Sequence, residues 1–219
     1  MASTFVLDRV ASCGIVPVIA IESVEAALPL ADALLEGGLP LIEITFRTAA
    51  AGEVIRKLAQ KRPELLVGAG TVLTAANLES ARDNGAAFAV APGLNGRIVE
   101  QAQRLGLPFV PGVATPTDLE TAMALGCKLL KFFPAEALGG TAMLEALSAP
   151  YKHTGVRFVP TGGVSPANLV AYLKLDTVAA VGGTWLARKE DLVEGKWAEI
   201  RQRCRVALEL VRDARRPRP

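Results

Sequence analysis

"GIVPVIAIESVEAALPLADALLEGGLPLIEITF", residues 14–46, reads as strand, helix, strand. Its two ends, Gly14–Ala20 and Leu41–Phe46, are short apolar runs rich in β-branched residues, the composition of a strand buried on both faces. Between them "SVEAALPLADALLEGG" spaces its apolar residues with a helical period and closes on glycines, where a helix ends in the left-handed region. A helix between two such strands is a crossover, and a crossover makes the strands parallel.

The same unit recurs along the chain. Strand-like runs lie at Gly14–Ala20, Leu41–Phe46, Leu65–Ala69, Ala87–Ala91, Pro108–Val110, Lys128–Phe133, Arg157–Pro160 and Val178–Val181, eight in all. "AANLESARDNG" and "NGRIVEQAQRLG" repeat the helical spacing with a terminal glycine. Eight strand–helix units point to an α/β fold, a single (β/α)8 TIM barrel over residues 1–219, with a helical N-terminal segment and a C-terminal helix around "WAEIRQRCRVALELVRD". The basic end, residues 212–219, is expected to be solvated and frayed. The runner-up is an open doubly wound sheet. Its dinucleotide fingerprint is missing, because "GAGTVL" at 68–73 lacks the third glycine, and no P-loop occurs.

Composition narrows the function. With 219 residues, 24 Lys+Arg against 22 Asp+Glu and a net charge of +2, the chain has no electrostatic footprint for nucleic acid. No apolar stretch approaches the ~18 residues of a membrane span, and "GIVPVIAI" is too interrupted to be a signal segment. Cys13, Cys127 and Cys204 are far apart, which indicates neither a disulfide framework nor a zinc knuckle and suits the cytoplasm. The one histidine, His153, sits in the polar stretch "PYKHTG", so metal-dependent or histidine-based chemistry has little to stand on and no metal or other cofactor is expected.

In a barrel, chemistry belongs at the C-terminal ends of the strands. In "LIEITFRT" (41–48), period-two alternation puts Glu43, Thr45 and Arg47 on one face and Ile42, Ile44 and Phe46 on the other. The apolar set packs against helices, so Glu43 and Arg47 face inward, where charges must be paired or used. In "KLLKFFPAE" (128–136), Leu129, Lys131 and Phe133 share the inward face, and Lys128 points to the helices. Apolar surroundings favour the neutral amine of Lys131, which is the nucleophile that imine formation requires. A structural ion pair is the plainer use of these charges.

"FVPTGGVSPANL" and "AVGGTWLA" each end a strand-like run in a glycine pair, Gly162–Gly163 and Gly182–Gly183, close to a helix start. Glycine lets backbone N–H groups approach an anion, helix N-termini favour negative charge, and barrels often hold phosphate at this pair of loops. Together the parts suit one reaction, retro-aldol cleavage. Lys131 forms an imine with a phosphorylated 2-oxo acid, Glu43 shuttles protons, Arg47 holds the carboxylate and the glycine loops hold the phosphate.

"GIVPVIA", "IEITFRT", "GAGTVL", "APG", "KFFPAE", "PTGGVSPAN" and "VGGTWL", in this order and across nearly the whole chain, resemble the 2-keto-3-deoxy-6-phosphogluconate (KDPG) and 4-hydroxy-2-oxoglutarate aldolases. The resemblance implies a cofactor-free class I aldolase with a TIM-barrel fold, a homotrimer serving the Entner–Doudoroff route. It makes Lys131 the Schiff-base lysine and Glu43 the general acid/base. Arg47 and Thr71 become the pyruvate-binding pair, with Pro92, Phe133 and Thr161 lining the pocket and Gly162, Gly163, Gly183 and Thr184 forming the phosphate site. Thr184 departs from the serine of the family pattern, adding a methyl while keeping the hydroxyl. Two other readings share some of these features: a phosphate-binding isomerase or epimerase that needs no imine, and a non-catalytic barrel with a buried charge cluster.

Overall fold

Ile15, Val16, Pro17, Val18 and Ile19 are all buried, and they form the first strand. The structure, a computed structural model, describes residues 2–216, and the side chains of residues 6–216. In chain order the elements are α1 (Ala2–Cys13), β1 (Ile15–Ile19), α2 (Ala27–Glu36), β2 (Leu41–Thr45), α3 (Ala51–Lys61), β3 (Leu66–Gly70), α4 (Ala75–Asp83), β4 (Phe88–Val90), α5 (Gly96–Arg104), β5 (Phe109–Val110), β6 (Gly112–Val113) and α6 (Pro116–Ala124). There follow β7 (Leu129–Phe132), α7 (Gly140–Ser148), a 3-10 segment (Ala149–Thr154), β8 (Arg157–Pro160), α8 (Leu169–Leu173), β9 (Val181–Gly183), α9 (Lys189–Val193) and α10 (Trp197–Arg215).

Every strand pairing is parallel. One ladder runs β5-β4-β3-β2-β1-β9 and the other β6-β7-β8. The expected fifth strand, Pro108–Val110, is seen as β5, and an unexpected short strand, β6, follows it after Pro111, which has no N–H to give to a ladder. Its carbonyl still accepts from Lys131 N at 2.8 Å. Isolated parallel bridges, Phe158 with Val178 and Thr161 with Gly182, connect β8 to the segment that becomes β9. The result is an α/β fold with a curled parallel sheet. The last strand lies later than the expected Val178–Val181, because residues 177–179 hydrogen-bond to Phe158 on β8 before Val181–Gly183 turn to β1.

Helix ends follow the local sequence. Thr74 caps α4 by accepting from Asn77 N, and Asn95 caps α5 by accepting from Arg97 N, each at 3.1 Å. Thr115 and Asp118 form a reciprocal capping box on α6. The glycines foreseen as terminators do adopt left-handed backbone, with φ +84° at Gly38, +86° at Gly85 and +66° at Gly106. Gly37 serves close packing, since a Cβ there would stand 2.6 Å from Cβ of Cys204 on α10.

The C-terminal end is more ordered than expected. Residues 212–215 continue α10, and Arg215 reaches back to the carbonyls of Ser12 (3.0 Å), Ala11 (2.8 Å) and Ala179. Those contacts tie the last helix to the end of α1 and to the segment that leads into β9. Residues 217–219 of the expected tail lie outside the described residues. No described helix is long and apolar enough to cross a membrane.

Candidate active site

Glu43 and Lys131 come from strands on opposite sides of the curled sheet, yet their side chains meet inside it. Lys131 Nζ stands 3.6 Å from Glu43 Oε1, and both residues are buried, 7% and 3% exposed. Alternation along β2 and β7 turns them inward as expected, while Ile42, Ile44, Leu130 and Phe132 face the helices and are completely buried. Lys128 precedes β7 and is exposed. Among the described residues Glu43 Oε1 accepts no hydrogen bond. A buried carboxylate oxygen with no bonded partner is costly unless the site uses it.

Two glycines outside the expected site residues admit close approaches here, Gly70 to the Glu43 carboxylate and Gly112 to the Pro92 backbone. A Cβ on Gly70 of β3 would fall 2.0 Å from Glu43 Oε1, and one on Gly112 of β6 would fall 2.1 Å from the Pro92 carbonyl oxygen. Gly70 was legible, since glycine inside a strand signals a close approach. Gly112 carried no motif. Phe133 lies just past the end of β7 with its ring centroid 5.5 Å from Lys131 Nζ, where its π face favours a cation. Val16, Phe88, Val90, Val110 and Val159 close the space beneath the pair, leaving a cavity of about 10 Å³.

Arg47 differs from expectation. Strand alternation ends at Thr45, and Arg47 sits exposed in the following turn rather than inside the sheet. It is still directed. Thr45 Oγ1 donates to Ile19 O at 3.1 Å and accepts from Arg47 Nε at 3.1 Å, which aims the guanidinium from the rim. Thr71, immediately after β3, has φ +53°, a conformation that strains a β-branched residue. Such strain survives where surrounding structure imposes it, commonly at functional sites. Pro92 is half-buried after β4, and Thr161 is buried at the end of β8.

The glycine pairs also differ from expectation in detail. Gly162 and Gly163 form a bend with φ +97° and +79°. Gly182 and Gly183 belong to β9, where the missing side chains admit Thr161 Oγ1 at 2.3 Å and the Trp185 ring at 1.8 Å from the ideal Cβ positions. Thr184 follows, exposed. Neither pair opens directly onto a helix, since α8 begins at Leu169 and α9 at Lys189, each only five residues long. Neither glycine pair therefore lies at the N-terminus of a long helix, contrary to expectation. His153 is exposed in the 3-10 segment.

A buried lysine beside an unbonded carboxylate oxygen, with an arginine at the rim, is an arrangement able to form an imine with a 2-oxo acid. A family model described as KDPG and KHG aldolase matches residues 6–203. The chain belongs to this aldolase family. The aldolase is 43% identical over 197 residues to the 2-dehydro-3-deoxy-phosphogluconate aldolase of Treponema pallidum, covering 90% of this chain and 93% of the relative. It is 43% identical over 195 residues to the KHG/KDPG aldolase of Escherichia coli K12, covering 89% and 91%. Its fold matches the KDPG aldolase of Legionella pneumophila, solved with pyruvate captured at low pH as a covalent carbinolamine intermediate. There the TM-score is 0.88 at 36% identity, covering 94% of this chain and 98% of the other.

Proposed function

We propose that this aldolase cleaves 2-dehydro-3-deoxy-6-phosphogluconate to pyruvate and D-glyceraldehyde 3-phosphate, and 4-hydroxy-2-oxoglutarate to pyruvate and glyoxylate, through an imine on Lys131. The observation that carries this reading is the buried Lys131–Glu43 pair with its unbonded carboxylate oxygen.

Glu43 takes a proton from Lys131, and the freed amine adds to the C2 carbonyl, its surplus proton passing to the oxygen to give a carbinolamine. Glu43 passes a proton to the departing hydroxyl, water leaves and an iminium forms. Glu43, now a carboxylate, takes the proton of the C4 hydroxyl. The C3–C4 bond breaks, its electron pair enters the C2–C3 enamine and the aldehyde departs. Glu43 returns the proton to C3, and water hydrolyses the iminium to pyruvate and free Lys131. Phe133 stabilises the cationic stages. Arg47 and Thr71 hold the carboxylate of the pyruvyl end, with Pro92 and Thr161 as pocket walls. Gly162, Gly163, Gly183 and Thr184 receive the phosphate.

The strand bridges at Phe158–Val178 and Thr161–Gly182, and chain continuity through Pro111, support reading the curled sheet as a closed (β/α)8 barrel forming one domain over residues 1–219. A homotrimer in the cytoplasm rests on the family likeness. Borohydride added with pyruvate tests the chemistry. A reduced pyruvyl adduct should map to the Lys131 peptide, and no adduct, or one on Lys128, would reject the proposal.

A further inference from the structure

Glu136 and Tyr172 have no part in the chemistry above, yet they are joined beside the Gly162–Gly163 bend. Tyr172, on α8, is completely buried, and its Oη donates to Oε1 of Glu136. Burial first, and Glu136 second, push the Tyr172 phenol well above its ordinary value, so it stays a donor.

The backbone around Glu136 is tied to the bend. Glu136 N donates to Gly162 O at 3.0 Å, and Ala135 N to Thr161 O at 2.8 Å. Its side-chain stem then crosses Gly163 on the way to Tyr172. A Cβ on Gly163 would stand 2.6 Å from both Cβ and Cγ of Glu136, and one on Gly140 would stand 3.2 Å from Oε1. Asn168 holds the bend from the other side, donating from Nδ2 to Gly163 O at 3.2 Å and accepting at Oδ1 from Ser165 N at 2.7 Å.

A buried phenol needs an acceptor, and any carbonyl would satisfy it. Here the acceptor is a carboxylate whose stem passes over the bend assigned to phosphate. Released from Tyr172, that carboxylate could swing beside a bound phosphate and repel it.

We propose that Tyr172 and Glu136 are a positioning pair for the phosphate end of the substrate. Tyr172 holds the carboxylate back against α8, so that the stem props the Gly162–Gly163 backbone and the charge stays clear of the anion. This inference rests on the reading of that bend as part of the phosphate site.

Steady-state kinetics of Tyr172→Phe with the phosphorylated and unphosphorylated substrates test it. KM for the phosphorylated substrate should rise about tenfold, the size of losing a hydrogen bond to a charged group. The kcat, KM for 4-hydroxy-2-oxoglutarate and the rate of borohydride trapping with pyruvate should not change. Adding Glu136→Gln should return KM toward wild type by removing the charge.

Equal effects on both substrates, or none, would overturn the proposal. Gly163→Ala separates this inference from the reading beneath it. If Gly163→Ala raises KM for the phosphorylated substrate and Tyr172→Phe does not, the bend holds phosphate and the positioning role is wrong. If neither variant changes the ratio of the two KM values, the phosphate assignment fails and the inference falls with it. Should Tyr172→Phe not fold, Glu136→Ala removes the prop at a more exposed position. It should raise KM for the phosphorylated substrate alone, and an equal effect on both substrates overturns the proposal.

Discussion

Lys131 on β7 and Glu43 on β2 are separated by 88 positions in sequence (131 − 43) and by 3.6 Å in space, with the nearer carboxylate oxygen left free of any other protein partner among the described residues. A pair kept only for stability would surround that oxygen with donors. Leaving it bare is consistent with a group that must take and return protons.

Removing the partners singly and together distinguishes catalysis from architecture. Lys131→Met should abolish turnover and borohydride trapping, and Glu43→Gln should lower kcat by about 10²- to 10⁴-fold. Lys131→Met alone should also lose stability, because it leaves Glu43 buried without a countercharge. Lys131→Met combined with Glu43→Leu should recover stability in urea unfolding while remaining inactive, since apolar replacement of a buried pair is often neutral or stabilising. Turnover by Lys131→Met would favour an isomerase-type barrel instead.

Gly70→Ala is expected to act through Glu43. The added methyl would occupy the space of the carboxylate, at 2.0 Å from Oε1, so the carboxylate must move away from Lys131. Stability should fall by about 1–3 kcal/mol through overpacking, and kcat should fall by more than that loss accounts for. Urea midpoints and single-turnover trapping measure the two effects separately.

Thr71→Gly should separate stability from binding. It relieves the cost of φ +53°, on the order of 1–3 kcal/mol, and adds back about 0.5–1 kcal/mol of unfolded-state entropy. The variant should be as stable as wild type or slightly more so, while KM for 2-oxo acids rises with the loss of the hydroxyl. A lower melting temperature would show that the strain account is wrong.

Asp191 gives a pH dependence with a defined sign. Its Oδ2 accepts from Arg203 Nη1 at 2.6 Å and from Arg188 N at 2.8 Å, and Arg203 also donates to Trp185 O at 2.9 Å. Arg203 first, then the backbone N–H of Arg188, hold the carboxyl below its ordinary value of 3.8 against the opposing effect of burial. A lowered folded value means the stabilisation is present above about 3.8 and is lost as pH falls through the folded value. Asp191→Asn should therefore cost about 1–3 kcal/mol at pH 7. Urea unfolding between about pH 2 and pH 7 should show wild type and variant converging at the acid end.

Much of the architecture was legible because the signals are local. The period of apolar residues marked strands and helices, and glycines marked helix ends. Parity alone turned Glu43 and Lys131 inward, and the flanking apolar residues made each charge conspicuous. Parity failed at Arg47 because it holds only while the chain stays extended, and β2 stops at Thr45. The glycine pair in β9 looked like a loop because "GG" carries no record of what approaches it. Only the fold reveals Thr161 and the Trp185 ring in those spaces.

By itself the sequence determined the parallel strand–helix order, the inward lysine and glutamate, and the family. These depend on backbone periodicity and on motifs contained within single strands or their adjoining turns. The tertiary structure alone decided the 3.6 Å approach of Lys131 to Glu43, the identity of the carboxylate that lies against Gly70, the rim position of Arg47 and the joining of Glu136 to Tyr172. Each of these is a distance between segments remote in sequence, and such distances are set by sheet curvature and packing, which no local pattern encodes.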